Sequence, residues 1–190
     1  EAVLMFPRRA IHAGNLAPLD RFREVGKALL DSHVLFDVLP DDIQRGVNLE
    51  RESKYSYKYF PKTGDEKLPK PQAGMSRFDA PYSVQVSASR PANSDQEITL
   101  HFVNYNREEP PRDRKGNPSP GGGIKDEKPI PVKSVGVDFV LPPNRKLQRV
   151  EFCSPENSEL RALAAVEDKG RIKFSVPEFK VYSIVRIHLK

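Results

Sequence analysis

Hydrophobic positions change period along this chain, and the change predicts two kinds of structure. Val3, Leu4, Met5 and Phe6 make a short apolar run closed by Pro7, which reads as a buried strand, and a loop with Gly14, Asn15 and Pro18 follows. From Leu19 to His33 the apolar residues Leu19, Phe22, Val25, Leu29 and Leu30 recur at helical spacing, while Arg21, Arg23, Glu24, Lys27 and Asp31 fall elsewhere. At 3.6 residues per turn such positions gather on one face, so an amphipathic helix is predicted. Val34 to Leu39 gives a second strand ending at Pro40. Strand, helix, strand over residues 1–40 suits a parallel βαβ unit. Two strands and one helix cannot cover both faces of a sheet, so this segment is expected to pack on the rest of the chain or to be an incomplete remnant.

From Tyr82 the period becomes two. Tyr82, Val84, Val86 and Ala88 alternate with Ser83, Gln85, Ser87 and Ser89, and Ile98, Leu100 and Phe102 alternate with Thr99, His101 and Val103. Turn residues Pro91 to Asp95 between them predict an antiparallel hairpin. Val135 to Leu141, Leu147 to Phe152, Arg171 to Val176 and Phe179 to Leu189 supply four more strands. Six short strands between Pro, Gly and Asn signals predict a mainly β chain, an antiparallel β-sandwich preceded by the βαβ segment. The expected core is Val84, Val86, Ile98, Leu100, Phe102, Val137, Phe139, Val150, Phe174, Val185 and Ile187. The division drawn from these patterns is a βαβ segment at 1–45, an extended connector at 46–80 and the sandwich at 81–190. A Pro- and Gly-rich insertion, 106–131, is expected as an excursion between two strands of one sheet.

Composition sharpens this. Eighteen prolines in 190 residues is about twice ordinary usage, which disfavours helical bundles because proline breaks helix interiors. No apolar run reaches the roughly 20 residues of a membrane helix, so no membrane span is expected. The net charge of +5 permits an anionic partner, but the basic residues are scattered or sit beside acids, so no nucleic acid is expected. Cys153 is the single cysteine and reads as a small buried filler; a disulfide within the chain is ruled out. The first residue is Glu1, and no secretory leader follows, so the chain reads as processed or as a piece of something longer.

Candidate chemistry is sparse. The histidines His12, His33, His101 and His188 are isolated from one another, no zinc-like spacing occurs, and no cofactor is expected. Asp41-Asp42 and Glu108-Glu109 are paired carboxylates, but neighbours in a loop point apart, whereas a glycosidase faces two carboxyls across a bond. Gly121 to Gly123 lacks the Lys-Ser/Thr of a phosphate loop. Tyr55, Tyr57 and Tyr59 alternate along a short strand and, with Phe60, form a candidate platform for sugar rings; the alternative is an edge strand laying its aromatics on a core.

Three segments carry a resemblance. Ile98 to Asn106, Val150 to Glu156 and Phe174 to Ile187 resemble strands of the C-terminal β-sandwich of multidomain bacterial glycoside hydrolases. Leu19 to Asp42 resembles part of the amidotransferase-like, flavodoxin-like trimerisation domain between barrel and sandwich in β-galactosidase-like enzymes. The resemblance implies that the catalytic carboxylates belong to a barrel absent from these residues, so no position here inherits a catalytic role. The expectation is a non-catalytic accessory region with a structural or positioning task. Its alternatives are a carbohydrate-binding module and a protein-interaction module. The implied partners are carbohydrate and a catalytic domain of the same polypeptide or assembly, and a secreted parent would place it outside the cytoplasm.

Overall fold

The structure, a computed structural model, describes residues 1–42, 54–61, 67–108, 114–116 and 128–190. Glu109 and the glycine run 121–123 lie outside the described residues. The chain divides into two compact units, Glu1–Phe78 with Asp138–Val140, and Asp79–Val137 with Leu141–Lys190.

The first unit holds β1 (Ala2–Phe6), α1 (Arg8–His12), α2 (Ala17–Asp31), β2 (Phe36–Pro40) and β3 (Tyr57–Tyr59). Its sheet has the order β2-β1-β3, and both neighbours run parallel to β1. Central β1 has no polar position, and Ala2, Val3, Leu4 and Met5 are all buried, as a strand covered on both faces requires. Ala2 and Leu4 pack with Val25 and Leu29 of α2, with Val34 and with Met75. Within the stretch read as a connector, Tyr57–Tyr59 extend the sheet, and Met75 is fully buried in the core.

Helix α2 ends in a reciprocal turn. The Val34 N–H donates to the Leu29 carbonyl at 2.9 Å and the His33 N–H to the Leu30 carbonyl at 3.0 Å, with His33 at φ 54°. This satisfies two carbonyls the helix would otherwise leave open, and Val34 meets Leu29 in the core. Helix α1, read from sequence as loop, has no apolar face; it is held from the far end of β2. Asp41 Oδ1 accepts from the Arg9 N–H at 3.0 Å, and Asp42 takes Arg8 Nε on both oxygens at 2.6 Å. That hydrogen bond to Arg8 lowers the Asp42 pKa. The Asp41-Asp42 pair thus clasps the turn after β1.

The second unit carries the sandwich. Its strands are β5 (Val84–Ser89), β6 (Glu97–Asn104), β7 (Val135–Val140), β8 (Leu147–Ser154), β9 (Asn157–Leu163), β10 (Ala165–Asp168), β11 (Arg171–Val176) and β12 (Tyr182–Leu189); the division between units runs through β7 and through β4 (Arg77–Asp79). One sheet has the order β5-β6-β12-β8-β9 and the other β10-β11-β7-β4. The hairpin of β5 and β6 is antiparallel, from Val84 opposite Asn104 to Ser89 opposite Thr99. Strands β6 and β12 alternate half-buried and buried residues along their whole length, so one face of each enters the core. All eleven residues expected in the core are buried.

Four expectations are corrected. The insertion after Asn106 joins β6 to β7, strands of different sheets, and near its ends Arg107 bridges antiparallel to Pro129. Tyr82 lies past the ladder's end and is 81% exposed. Cys153 is half-buried on the outer face, since alternation sends Val150, Phe152 and Ser154 inward. Strands β9 and β10 were not anticipated.

Asn104 is buried at the core face of β6, where its alternation calls for an apolar residue. Its Nδ2 donates to the carbonyls of Ile130 at 2.8 Å and Lys180 at 2.5 Å, and its Oδ1 accepts from the Asn106 N–H at 2.9 Å. One amide thereby fixes both ends of the insertion and the approach to β12.

The turn from β10 to β11 is Lys169-Gly170, both at positive φ, 48° and 74°, with Asp168 opposite Arg171. A two-residue hairpin of this kind favours asparagine at its first position, because a lysine Cβ is strained there. Lys169→Asn is expected to raise stability by about 0.5–1 kcal/mol, read as a higher thermal midpoint; an unchanged or lower midpoint contradicts it. No helix among the described residues is long and apolar enough to cross a membrane.

Candidate functional site

The three tyrosines do not share one role. Only Tyr57 and Tyr59 lie in β3; by register they share the face of Ala2 and Leu4, and both pack against the first unit's core. Tyr57 fits because position 74 is glycine, where an added Cβ would stand 3.1 Å from the tyrosine hydroxyl. Tyr55 precedes the strand and donates its hydroxyl hydrogen bond to Asp37 of β2. A flat platform of three exposed rings is therefore not what the strand presents.

Tyr59 instead lines a cleft of about 310 Å³ with Arg21, Val25, Lys58, Phe60, Lys67 and Pro69. Helix α2 supplies one wall, since Arg21 and Val25 are four residues apart and project along one side. The end of β3 and the segment from Lys67 supply the other. Arg21 Nη2 donates to the Lys67 carbonyl at 3.0 Å, and Nη1 pairs with Glu24 Oε2 at 3.0 Å. Alternation puts Lys58 on the opposite face from Tyr57 and Tyr59, with Val3 and Asp37. Phe60 is 49% exposed and offers the free ring. Arg21 Nε and the Tyr59 hydroxyl oxygen are themselves closed off from solvent, and neither has a hydrogen-bond partner among the described residues. Burial raises the Tyr59 pKa, and the neighbouring Tyr57 adds to it. The hydroxyl is therefore a neutral donor at physiological pH.

No family model and no curated protein matches the chain. Among solved structures it is similar to alpha-L-fucosidase isoenzyme 2 from Paenibacillus thiaminolyticus, at 18% identity and a TM-score of 0.44, over 61% of this chain and 15% of that one. It is also similar to a Paenibacillus sp. cycloisomaltooligosaccharide glucanotransferase solved with cycloisomaltoheptaose, at 14% identity and a TM-score of 0.41, over 62% of this chain and 17% of that one. The chain thus spans less than a fifth of either neighbour. At those scores neither likeness carries an inference about activity.

A second polar arrangement covers the outer face of the five-stranded sheet. Ser89 Oγ lies 2.8 Å from His101 Nε2, and His101 Nδ1 lies 2.8 Å from the Tyr182 hydroxyl, the two rings stacked at 6.2 Å. Both nitrogens of His101 are satisfied, as a half-exposed strand histidine requires. Beside it runs an ionic ladder. Arg186 Nη2 donates to Glu97 Oε2 at 2.7 Å, His188 Nε2 lies 2.7 Å from Glu151 Oε2, and Arg149 Nε donates to Glu151 Oε1 at 3.0 Å. The Arg186 hydrogen bond lowers the Glu97 pKa, and the His188 hydrogen bond, helped by Arg149, lowers that of Glu151. Both carboxyls are ionised at neutral pH. Among the described residues no group of three or more His, Cys, Asp or Glu could hold a metal ion.

Because folding lowers both pKa values, the ionised carboxylates contribute stability that is complete above the unfolded glutamate value of about 4.3 and is lost as pH falls through the folded values. The thermal midpoint is expected to fall between about pH 5 and pH 3, and to fall less in Glu97→Gln. Midpoints measured across that range decide it; equal slopes for variant and wild type would remove Glu97 from the account.

Sequence reading missed Arg21 and Lys67. They are 46 positions apart, and only the packing of α2 beside β3 brings them together. Tyr82 and Tyr105, at 81% and 66% exposure, are further open rings, at the end of the β5–β6 hairpin.

Proposed function

We propose that the chain is a non-catalytic accessory region of a carbohydrate-active protein, a rigid platform that supports or positions a catalytic domain. The observation that carries this reading is the state of the outer-face carboxyls. Glycoside hydrolysis needs one carboxyl held protonated near neutral pH, its pKa pushed upward, opposite a second that is ionised. Glu97 and Glu151 are both pushed downward, chiefly by the hydrogen bonds they accept from Arg186 and His188, which suits the cohesion of a sheet and not proton donation to a leaving group. The strand texture of Ile98 to Asn106 and Phe174 to Ile187 supports the same reading. Incubating these 190 residues with a panel of glycosides is expected to release no sugar. Turnover that disappears in Glu97→Gln or Glu151→Gln overturns the proposal.

A carbohydrate-binding role is the second reading, favoured by the cleft beside β3. Phe60→Ala is the informative variant, because Tyr57 and Tyr59 also hold the core together. Calorimetric titration with polysaccharides is expected to lose heat in that variant; the absence of heat for any glycan with wild type removes the reading.

A further inference from the structure

We infer that β9 is the interface of a symmetric dimer, the free edge of the five-stranded sheet pairing antiparallel with β9 of a second copy. Strand β9 ends its sheet, with β8 on one side and no described strand on the other. Its seven residues, Asn157–Leu163, present roughly 23 Å of edge at about 3.3 Å per residue. Glu159, Arg161 and Ala162 are exposed, and Leu160 is 53% exposed. By register Asn157 lies opposite Ser154 and Arg161 opposite Phe152, both of which point inward, so alternation places Glu159 and Arg161 on that face and Leu160 on the other. The ladder to β8 is irregular between Asn157 and Arg161, but the faces stay in step across the irregularity. Charged side chains on the inner face of an edge keep most strands from adding to it.

The order of those charges singles out a second copy as the strand that fits. Antiparallel pairing of a strand with itself about one residue sets the position before that residue against the position after it. About Leu160 this brings Glu159 of each copy opposite Arg161 of the other on one face, and Leu160 opposite Leu160 on the other. Opposite charges directly across a strand pair stabilise it, and like charges destabilise it. Moving the register two residues either way sets Arg161 against Arg161 or Glu159 against Glu159, so one alignment is favoured and its neighbours are penalised. A contact of this kind is isologous and closes at two copies. The other edges of the sandwich lack the combination: β5 carries no charge, β10 carries the neighbouring acids Glu167 and Asp168, and β4, with Arg77 and Asp79, is three residues long. One strand from each copy is a small contact beside the roughly 1,200–2,000 Å² of a stable complex, so the dimer is weak and depends on concentration.

Sedimentation velocity on the full chain, from micromolar to millimolar concentration, is expected to show monomer passing to dimer, and added salt is expected to shift it back towards monomer. Glu159→Arg and Arg161→Glu are each expected to weaken association about tenfold or more, since each sets like charges opposite one another in both pairs. Mixing the two variants is expected to restore it, because one then carries only cations at the two positions and the other only acids. Leu160→Lys, which sets two ammonium groups at the symmetry axis, is expected to abolish the dimer, while Ser87→Lys at an exposed position of β5 leaves it unchanged. A chain that stays monomeric throughout the range overturns the inference. So does a dimer that survives Leu160→Lys, one that Ser87→Lys removes, or a mixture of the two charge variants that associates no better than either alone. None of these outcomes touches the accessory reading, which falls only to glycoside turnover.

Discussion

Asn104→Ala is expected to destabilise the sandwich by about 2–3 kcal/mol, enough to lower the midpoint of a domain of about 100 residues by roughly 10–20 °C. The cost does not come from lost apolar contact. The alanine would remove the buried amide to which the carbonyls of Ile130 and Lys180 and the N–H of Asn106 are each hydrogen-bonded, and three part-buried bonds are lost at once. Asn104→Asp separates this explanation from simple volume loss. Aspartate has nearly the same shape, yet it turns the Nδ2 donor into a second acceptor facing two carbonyl oxygens and brings a charge into a site that is 4% exposed. It is expected to be at least as damaging as alanine. Thermal or urea unfolding of both variants provides the measurement; an aspartate variant close to wild type would show that the amide donor is not what holds the three segments.

Leu29→Ala is expected to cost the first unit about 2–5 kcal/mol, and to unfold it at temperatures where wild type is intact. Leu29 is fully buried among six core residues and also forms the apolar contact that closes the C-terminal turn of α2 with Val34. A small core has little reserve, because small domains bury a smaller share of their surface. The readout is direct: among the described residues both helices belong to this unit, so loss of ellipticity at 222 nm reports it. Leu29→Met, which conserves volume, is expected to cost under about 1.5 kcal/mol. If the alanine variant kept the wild-type helical signal and midpoint, the core as described would not be what supports α2.

Strand alternation made the sandwich core legible, since a period of two assigns each residue to a face without knowledge of the partner strand. It also contained the signal for Asn104: Ile98, Leu100 and Phe102 set the inward positions, and the next one is polar. Strands β9 and β10 were hidden because Asn157–Leu163 and Ala165–Asp168 carry charges and no apolar alternation. Both are edge strands, whose place comes from hydrogen bonds to β8 and β11 and whose charge protects an open edge. Helix α1 was hidden for a related reason, its support arriving from Asp41 and Asp42 more than 30 residues away. At the candidate site the spacing of Tyr57 and Tyr59 correctly put them on one side of a strand. It could not say that this side faces α2, and so could not turn a supposed stacking platform into two core residues and one cleft wall.

The position of β12 between β6 and β8 has a kinetic consequence. The hairpins β5–β6 and β8–β9 each close a short loop and can form from neighbouring sequence, but their parent sheet is joined only when β12 pairs with both. Tyr182 meets Val103 across nearly eighty residues, a separation that slows assembly because the entropy of closing the loop is lost before the contact is gained. During synthesis on a ribosome both hairpins therefore wait, with the inner edges of β6 and β8 also open, until residues 182–189 have emerged. That interval is when the chain is most exposed to pairing with another copy of itself.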